Sequence, residues 1–137
     1  MVFDTNVLVA AAKSRDGASF ELVNAIPTRK YTICLSVALY SEWQSVLTRP
    51  AHVPPGLTVE DVRNYLRFLA ANAHLQEIHF LWRPFLPDAD DDMVLELAFA
   101  SSAQYVITHN KNDFRGSEQL GVTALTPREF LKVVRTL

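Results

Sequence analysis

Short apolar runs alternate along this chain with longer stretches of helical periodicity. Runs rich in strand-forming residues occupy residues 1–3, 31–35, 77–81, 104–108 and 122–125. Between them, side chains such as Leu39, Trp43 and Val46 recur at the spacing of one helix face. Strands that alternate with helices are typical of a parallel sheet covered by helices. We therefore predict an α/β fold with a mostly parallel central sheet of about five strands.

Helix starts are marked by polar side chains that can cap a first turn. Ser36 predicts a helix over 37–47, and Thr58 with Asp61 resembles a shortened capping box. Thr126 followed by a proline and by Glu129 predicts the last helix. We also predict that the first helix begins at residue 7 and that an acidic helix begins at residue 91 or 92.

Size and composition restrict the class of protein. At 137 residues the chain fits one domain, and with 49% hydrophobic and 20% charged residues it is neither disordered nor a disulfide scaffold. The net charge of −2 argues against an evenly basic surface but allows a local basic patch. Cys34 is the only cysteine, which favours a reducing compartment. No apolar run approaches the roughly 18 residues of a membrane span, so we expect a cytoplasmic protein.

Acidic residues stand where the predicted strands end or the predicted helices begin. They are Asp4, Glu42, the run 90–92 and Asp113. In an open α/β sheet, such positions collect beyond the carboxyl ends of the strands, so these acids could converge. Converging carboxylates repel one another, and a hard divalent cation relieves that repulsion. Such an ion can polarise a phosphoryl oxygen and activate a water.

Each acid taken alone also has a simpler interpretation. Asp4 could be a turn or helix cap, and the run 90–92 could compensate a helix dipole. Glu42 could be a solvated helix residue, and Asp113 could bond within its loop. The joint pattern is more specific than any one member.

Four segments carry a resemblance to a known family. They are Val-Phe-Asp-Thr-Asn-Val-Leu at 2–8, Leu-Ser-Val-Ala-Leu-Tyr-Ser-Glu-Trp at 35–43, Asp-Ala-Asp-Asp-Asp-Met-Val-Leu-Glu-Leu-Ala at 88–98 and Tyr-Val-Ile-Thr-His-Asn-Lys-Asn-Asp-Phe at 105–114. In this order they resemble the motifs of a PIN domain (PilT N-terminus), above all the small prokaryotic VapC-like ribonucleases described as toxins of toxin–antitoxin pairs. The resemblance covers essentially the whole chain, which predicts a single PIN domain over 1–137.

The resemblance implies a Rossmann-like three-layer fold, Mg²⁺- or Mn²⁺-dependent cleavage of single-stranded RNA, an antitoxin partner and a homodimer. By position it makes Asp4, Glu42 and Asp92 the first three acids of the site. The fourth position is open between Asn110 and Asp113, because His109 and Asn110 stand where many relatives have a small residue and an Asp. With Asp113 chosen, the predicted catalytic and metal-binding set is Asp4, Glu42, Asp92 and Asp113.

Further residues are predicted around this set. The predicted accessory groups are Asp91, Asn110, Asn6, Thr5 and Ser36. The predicted RNA contacts, which lie near the same strand ends, are Lys13, Arg15, Lys111 and Arg115.

Three functions are compatible with the sequence. The preferred one is a metal-dependent endoribonuclease in which a metal-bound water attacks phosphorus in line. A non-catalytic PIN module that binds RNA or a protein partner is the alternative, supported by the uncharged Asn110. A phosphatase or DNA nuclease on the same scaffold is the third, because a fold does not fix a substrate.

Overall fold

A computed structural model of the chain describes residues 1–79 and 84–137. The strands are β1 (Val2–Phe3), β2 (Cys34–Leu35), β3 (His74–Leu75), β4 (Tyr105–Ile107) and β5 (Thr123–Leu125). The helices are α1 (Thr5–Lys13), α2 (Ala18–Asn24), α3 (Val37–Leu47), α4 (Val59–Ala71), α5 (Ala89–Ala100) and α6 (Pro127–Arg135). Two short 3₁₀ turns, Lys111–Phe114 and Ser117–Leu120, lie between β4 and β5.

All pairings between these strands are parallel, as the sequence predicts. One ladder has the order β1-β4-β5, and a second ladder pairs β2 with β3. The backbone N–H of Cys34 donates to the carbonyl oxygen of Met1 at 2.8 Å and so connects the two ladders. The spatial order is therefore β3-β2-β1-β4-β5, and the fold is the α/β arrangement that was predicted. The strands are shorter than the apolar runs suggest.

The third strand lies earlier in the chain than predicted. The N–H groups of His74 and Gln76 donate to the carbonyls of Ile33 and Leu35, both at 2.8 Å, which places β3 directly after α4. The predicted strand at 77–81 is wrong for residues 77–79, which follow β3 as irregular chain, and its remainder lies outside the described residues. Both residues of β3 are exposed, so apolar patterning could not locate this edge strand.

The predicted helix caps are confirmed. The Ser36 hydroxyl accepts from the N–H of Leu39 at 3.2 Å, and full capping boxes begin α4 and α6. Two helices begin earlier than predicted: α1 begins at Thr5, directly after β1, and α5 begins at Ala89. The start of α5 follows from the Asp88 side chain, which accepts from the N–H of Asp90 at 2.8 Å.

The core fills the space between the sheet and the helices. Its largest fully buried side chains include Phe3, Trp43, Leu95 and Ile107, contributed by two strands and two helices. α5 packs on β1, β2 and β4, while α2 packs between α1 and α6. None of the helices in the described part of the chain is long and apolar enough to cross a membrane.

The strand order fixes where a site can form. The chain runs from β1 outward to β2 and β3, and then crosses back over β1 to β4 and β5, so the strand order reverses between β1 and β4. A crevice opens at such a switch point, outside the carboxyl ends of the strands. The residues that follow β1 and β4, Asp4 and Thr108, therefore stand at the position where open α/β sheets bind ligands.

The capping box of α4 provides a test of this fold at a distance from the switch point. Thr58→Ala removes the side-chain oxygen that accepts from the Asp61 N–H at 3.1 Å. We expect the free energy of unfolding, measured by urea denaturation, to fall by about 1 kcal/mol. Thr58→Ser keeps that oxygen and should unfold like the unsubstituted chain; equal losses in both variants would contradict the capping role.

Candidate acidic site

Asp4 follows β1 and is buried at the switch point. Its backbone N–H donates to the carbonyl of Ile107 at 2.9 Å, which continues the pairing of β1 with β4. Although Asp4 occupies the N-cap position of α1, its side chain makes no capping hydrogen bond. Instead, its Oδ2 accepts from the Thr108 hydroxyl at 2.8 Å and from the Asn6 amide at 3.3 Å. The carboxylate is therefore turned from the helix toward the end of β4.

Thr108 and Asn6 form a small polar network around Asp4. Thr108 is completely buried, and its Oγ1 also accepts from the backbone N–H of Asn110 at 3.1 Å. The Asn6 side-chain oxygen accepts from the backbone N–H of His109 at 3.2 Å. The sequence predicted Asn6 as an accessory group but missed Thr108. The predicted strand 104–108 includes Thr108, whereas the observed strand ends at Ile107; only the register of Phe3 opposite Ile107 places Thr108 beside Asp4.

Glu42 is held at the site by α3 and by the first residue of α1. The Thr5 hydroxyl donates to Glu42 Oε2 at 2.7 Å. Burial raises the pKa of Glu42, the Thr5 hydrogen bond lowers it, and the nearby charges of Asp90, Asp4 and Asp88 raise it further. Thr5 therefore orients Glu42, in agreement with its predicted accessory role. Ser36, another predicted accessory group, caps α3 instead.

Burial also raises the pKa of Asp4, and the hydrogen bond from Thr108 counters part of that rise. The charge of Asp113 raises the pKa of Asp4 as well, while His109 lowers it. Asp113 lies in the exposed 3₁₀ turn after β4 and is close enough to act on Asp4 electrostatically. Asn110 contributes its backbone N–H to the network and has no charge to contribute.

Asp91 is the member of the acidic run whose own pKa is raised by the other acids. Its pKa is raised from 3.8 to about 7, first by burial and then by the charges of Asp4, Asp88, Asp113 and Asp90. Each of these carboxylates disfavours a further negative charge at Asp91. The geometry therefore places Asp91, which the sequence treats as accessory, among the converging acids.

Asp92, the residue that the sequence prefers within the run, has a different environment. Its carboxylate is buried and accepts backbone N–H groups from Phe85 at 3.2 Å and Leu86 at 3.0 Å. These bonds attach the segment before α5 to its first turn. Adjacent positions on a helix point about 100° apart, so Asp91 and Asp92 cannot share one environment.

The acids do not form a closed ligand cluster. Among residues 1–79 and 84–137, no three His, Cys, Asp or Glu side chains lie close enough together to hold one ion. Mutual repulsion between carboxylates opposes closer approach. The chemistry of the donors nevertheless fits a hard cation, because Asp4, Glu42, Asp91 and Asp113 offer only carboxylate oxygens. The charge of Asp4 raises the pKa values of Glu42 and Asp91, and the charge of Asp113 raises those of Asp4 and Asp91.

The predicted RNA contacts are exposed, but they do not all remain free. Lys111 Nζ lies 3.0 Å from a Glu129 oxygen and forms an ion pair with it. Lys13 ends α1, Arg15 follows it, and Arg115 ends the first 3₁₀ turn. Arg15 lines a surface groove together with bases of α6, which sequence analysis did not select.

The raised pKa of Asp91 gives a pH dependence of known sign. An Asp carboxyl ordinarily titrates near 3.8, whereas folded Asp91 keeps its proton to about pH 7. Between these values the folded state binds more protons than the unfolded state, so stability of the metal-free protein falls as pH rises. Asp91→Asn should weaken this slope and, measured by urea unfolding at about pH 7.5, add about 1–2 kcal/mol after allowance for solvent screening.

Asp92→Asn is the matched control, because it makes the same chemical change at the next residue. Here we expect a loss of about 1–3 kcal/mol, since the backbone N–H groups of Phe85 and Leu86 lose their charged acceptor. Stabilisation by Asp92→Asn together with destabilisation by Asp91→Asn would contradict the assignment of the two residues.

Comparison with known proteins agrees with this geometry. A scan against protein-family models matches residues 1–112 to the PIN domain, whereas no curated protein matches the chain. The match includes the four strands β1 to β4 and every acid of the candidate site except Asp113, which lies just beyond it. PIN domains are generally nucleases and typically use divalent metal ions. The chain therefore belongs to the PIN domain family.

Proposed function

We propose that this protein is an Mg²⁺- or Mn²⁺-dependent endoribonuclease that cleaves single-stranded RNA. The observation that supports the proposal most strongly is the mutual repulsion of acids at the switch point. Asp4, Glu42 and Asp91 all have raised pKa values, and each value is raised in part by other acids of the group. Such an arrangement costs stability unless a cation compensates it, which is typical of a functional site.

The metal would be held by Asp4, Glu42, Asp91 and Asp113. Asp91 takes the place of Asp92, which the sequence pattern favours. When bound, the ion would lower the pKa of a coordinated water and stabilise negative charge on the phosphate. The chain itself supplies orientation. Thr108 and Asn6 fix one face of the Asp4 carboxylate, and Thr5 fixes one oxygen of Glu42. Residues that orient such ligands commonly affect metal affinity or activity by about 10–100-fold.

The preference for RNA depends on the resemblance to ribonuclease toxins. A direct comparison of single-stranded RNA, duplex DNA and a small phosphate ester as substrates tests it. The toxin role, the antitoxin partner and the homodimer have the same basis and stay predictions. Co-purification of the native protein tests for the partner, and sedimentation tests for the dimer.

A non-catalytic PIN module is the second candidate. It is favoured by the uncharged Asn110 and by the absence of a closed ligand cluster within the described residues. A module of this kind would bind RNA or a protein but would show no cleavage that depends on Mg²⁺. An assay of Mg²⁺-dependent cleavage separates the two functions.

Asp4→Asn should remove the central carboxylate while keeping a side chain of the same shape. We expect the Mg²⁺-dependent cleavage rate on single-stranded RNA to fall by roughly 100-fold or more, because the proposed ion loses its most buried ligand. Thr108→Val, which removes only the orienting hydroxyl, should lower the rate by about 10–100-fold.

Glu118→Gln is the control, since it removes an exposed acid of the second 3₁₀ turn. Its cleavage rate should equal that of the unsubstituted chain. Cleavage by Asp4→Asn at the full rate would show that the site is wrong. Cleavage by none of the proteins would favour the binding module.

A further inference from the structure

The last helix presents a stripe of basic side chains to solvent. Arg128, Lys132 and Arg135 are exposed and recur at the spacing i, i+4, i+7, which places them on one face of α6. The opposite face buries Phe130 and Val134 in the core. The apolar face is sufficient to anchor the helix, so fold stability does not require these bases.

This stripe forms one wall of a groove of about 770 Å³ between α2 and α6. Arg15, from the segment between α1 and α2, lies on its rim with Asp16 and Glu21. Arg135 pairs with Glu21 at 3.3 Å. Within residues 1–79 and 84–137, the other three bases make no ion pair. The groove thus has an excess of positive charge in a chain whose net charge is −2.

The groove continues toward the acidic site through two further depressions. The first shares Gly17, Ala18 and Arg128 with it and reaches His109. The second shares His109 with the first and extends to Asp113. Adjoining depressions therefore lead from the basic stripe of α6 to Asp113, at the edge of the acidic site. His109 stands at the junction, where its Nε2 lies 2.9 Å from the Ser19 hydroxyl.

Charge along this path changes sign in a way that suits a phosphodiester strand. The acidic end repels phosphates unless a cation is present, whereas the basic groove attracts them at any metal concentration. Exposed Arg and Lys side chains without acidic partners are the usual contacts to a nucleic acid backbone. The groove is open to solvent and has bases from both α6 and the segment before α2, which suits an extended strand better than a small enclosed anion.

We propose that the groove between α2 and α6 binds the sugar–phosphate backbone of a single-stranded nucleic acid that extends from the acidic site, with Arg15, Arg128 and Lys132 as phosphate contacts. The inference rests on the proposed nuclease function, which supplies the strand at the acidic end. It adds two residues of α6 to the predicted contacts. Lys111, which is paired with Glu129, stays a predicted contact outside this groove.

The test measures binding without cleavage. All variants carry Asp4→Asn, and their affinities for a fluorescent single-stranded RNA are measured at several salt concentrations. Arg128→Gln combined with Lys132→Gln should weaken binding at low salt by about tenfold or more. It should also lower the slope of log affinity against log salt by about 1.4, the value for two phosphate contacts on a single strand.

The matched control is Arg63→Gln combined with Arg67→Gln. It removes the same charge from the exposed face of α4, which packs on α3 rather than on α6. The control should keep the original slope, and thermal melting should show that both double variants are folded. Equal salt slopes for the two double variants, or no RNA binding by the protein that carries Asp4→Asn alone, would overturn the inference. A different result would overturn the nuclease function alone: the groove binds RNA, but the protein with Asp4 intact does not cleave it.

Discussion

The hydrogen bond from the Thr108 hydroxyl to Asp4 joins the ends of two neighbouring parallel strands. It is 2.8 Å long and buried, and it exists because β1 and β4 pair with Phe3 opposite Ile107. Any change of register between these strands would separate the two side chains. The pairing therefore fixes both the sheet and the position of the buried Asp4 carboxylate, which occupies the N-cap of α1 without capping it.

The acidic run before and within α5 shows how one stretch of sequence divides its charges. Asp88 caps the helix, and Asp92 holds the segment before it through backbone N–H groups. Asp91 experiences the electrostatic repulsion, since burial and the neighbouring acids raise its pKa to about 7. Two acids thus support the fold, whereas the third lies within the electrostatic influence of Asp4 and Asp113.

The elements that sequence alone predicted well are those with local physical causes. The caps at Ser36, Thr58 and Thr126 depend on side chains within three residues of the helix start, and all three are confirmed. The start of α5 depends on the same kind of cap, but the Asp run offered several equivalent candidates. β3 was misplaced because its pairing with β2 is not local and its side chains are exposed.

For the site, the sequence identified Asp4 and Glu42 as candidates, but it could not distinguish Asp91 from Asp92. That distinction depends on helix phase and on the backbone donors of Phe85 and Leu86, which adjacent acids of one type do not reveal. The sequence does show the basic face of α6, as three bases at the spacing i, i+4, i+7. Its importance depends on α2 packing beside it, which is a tertiary contact.

Binding of Mg²⁺ to the purified, metal-free protein tests the central claim most directly. Thermal unfolding at about pH 7.5 should shift upward as Mg²⁺ is added, because an ion bound only by the folded state stabilises it increasingly as the ion concentration rises above Kd. Asp91→Asn should lose most of this shift, whereas Asp92→Asn should keep it from a lower starting temperature. No shift in the unsubstituted protein, or a shift that depends on Asp92 and not on Asp91, would contradict an acidic metal site built on Asp4, Glu42, Asp91 and Asp113.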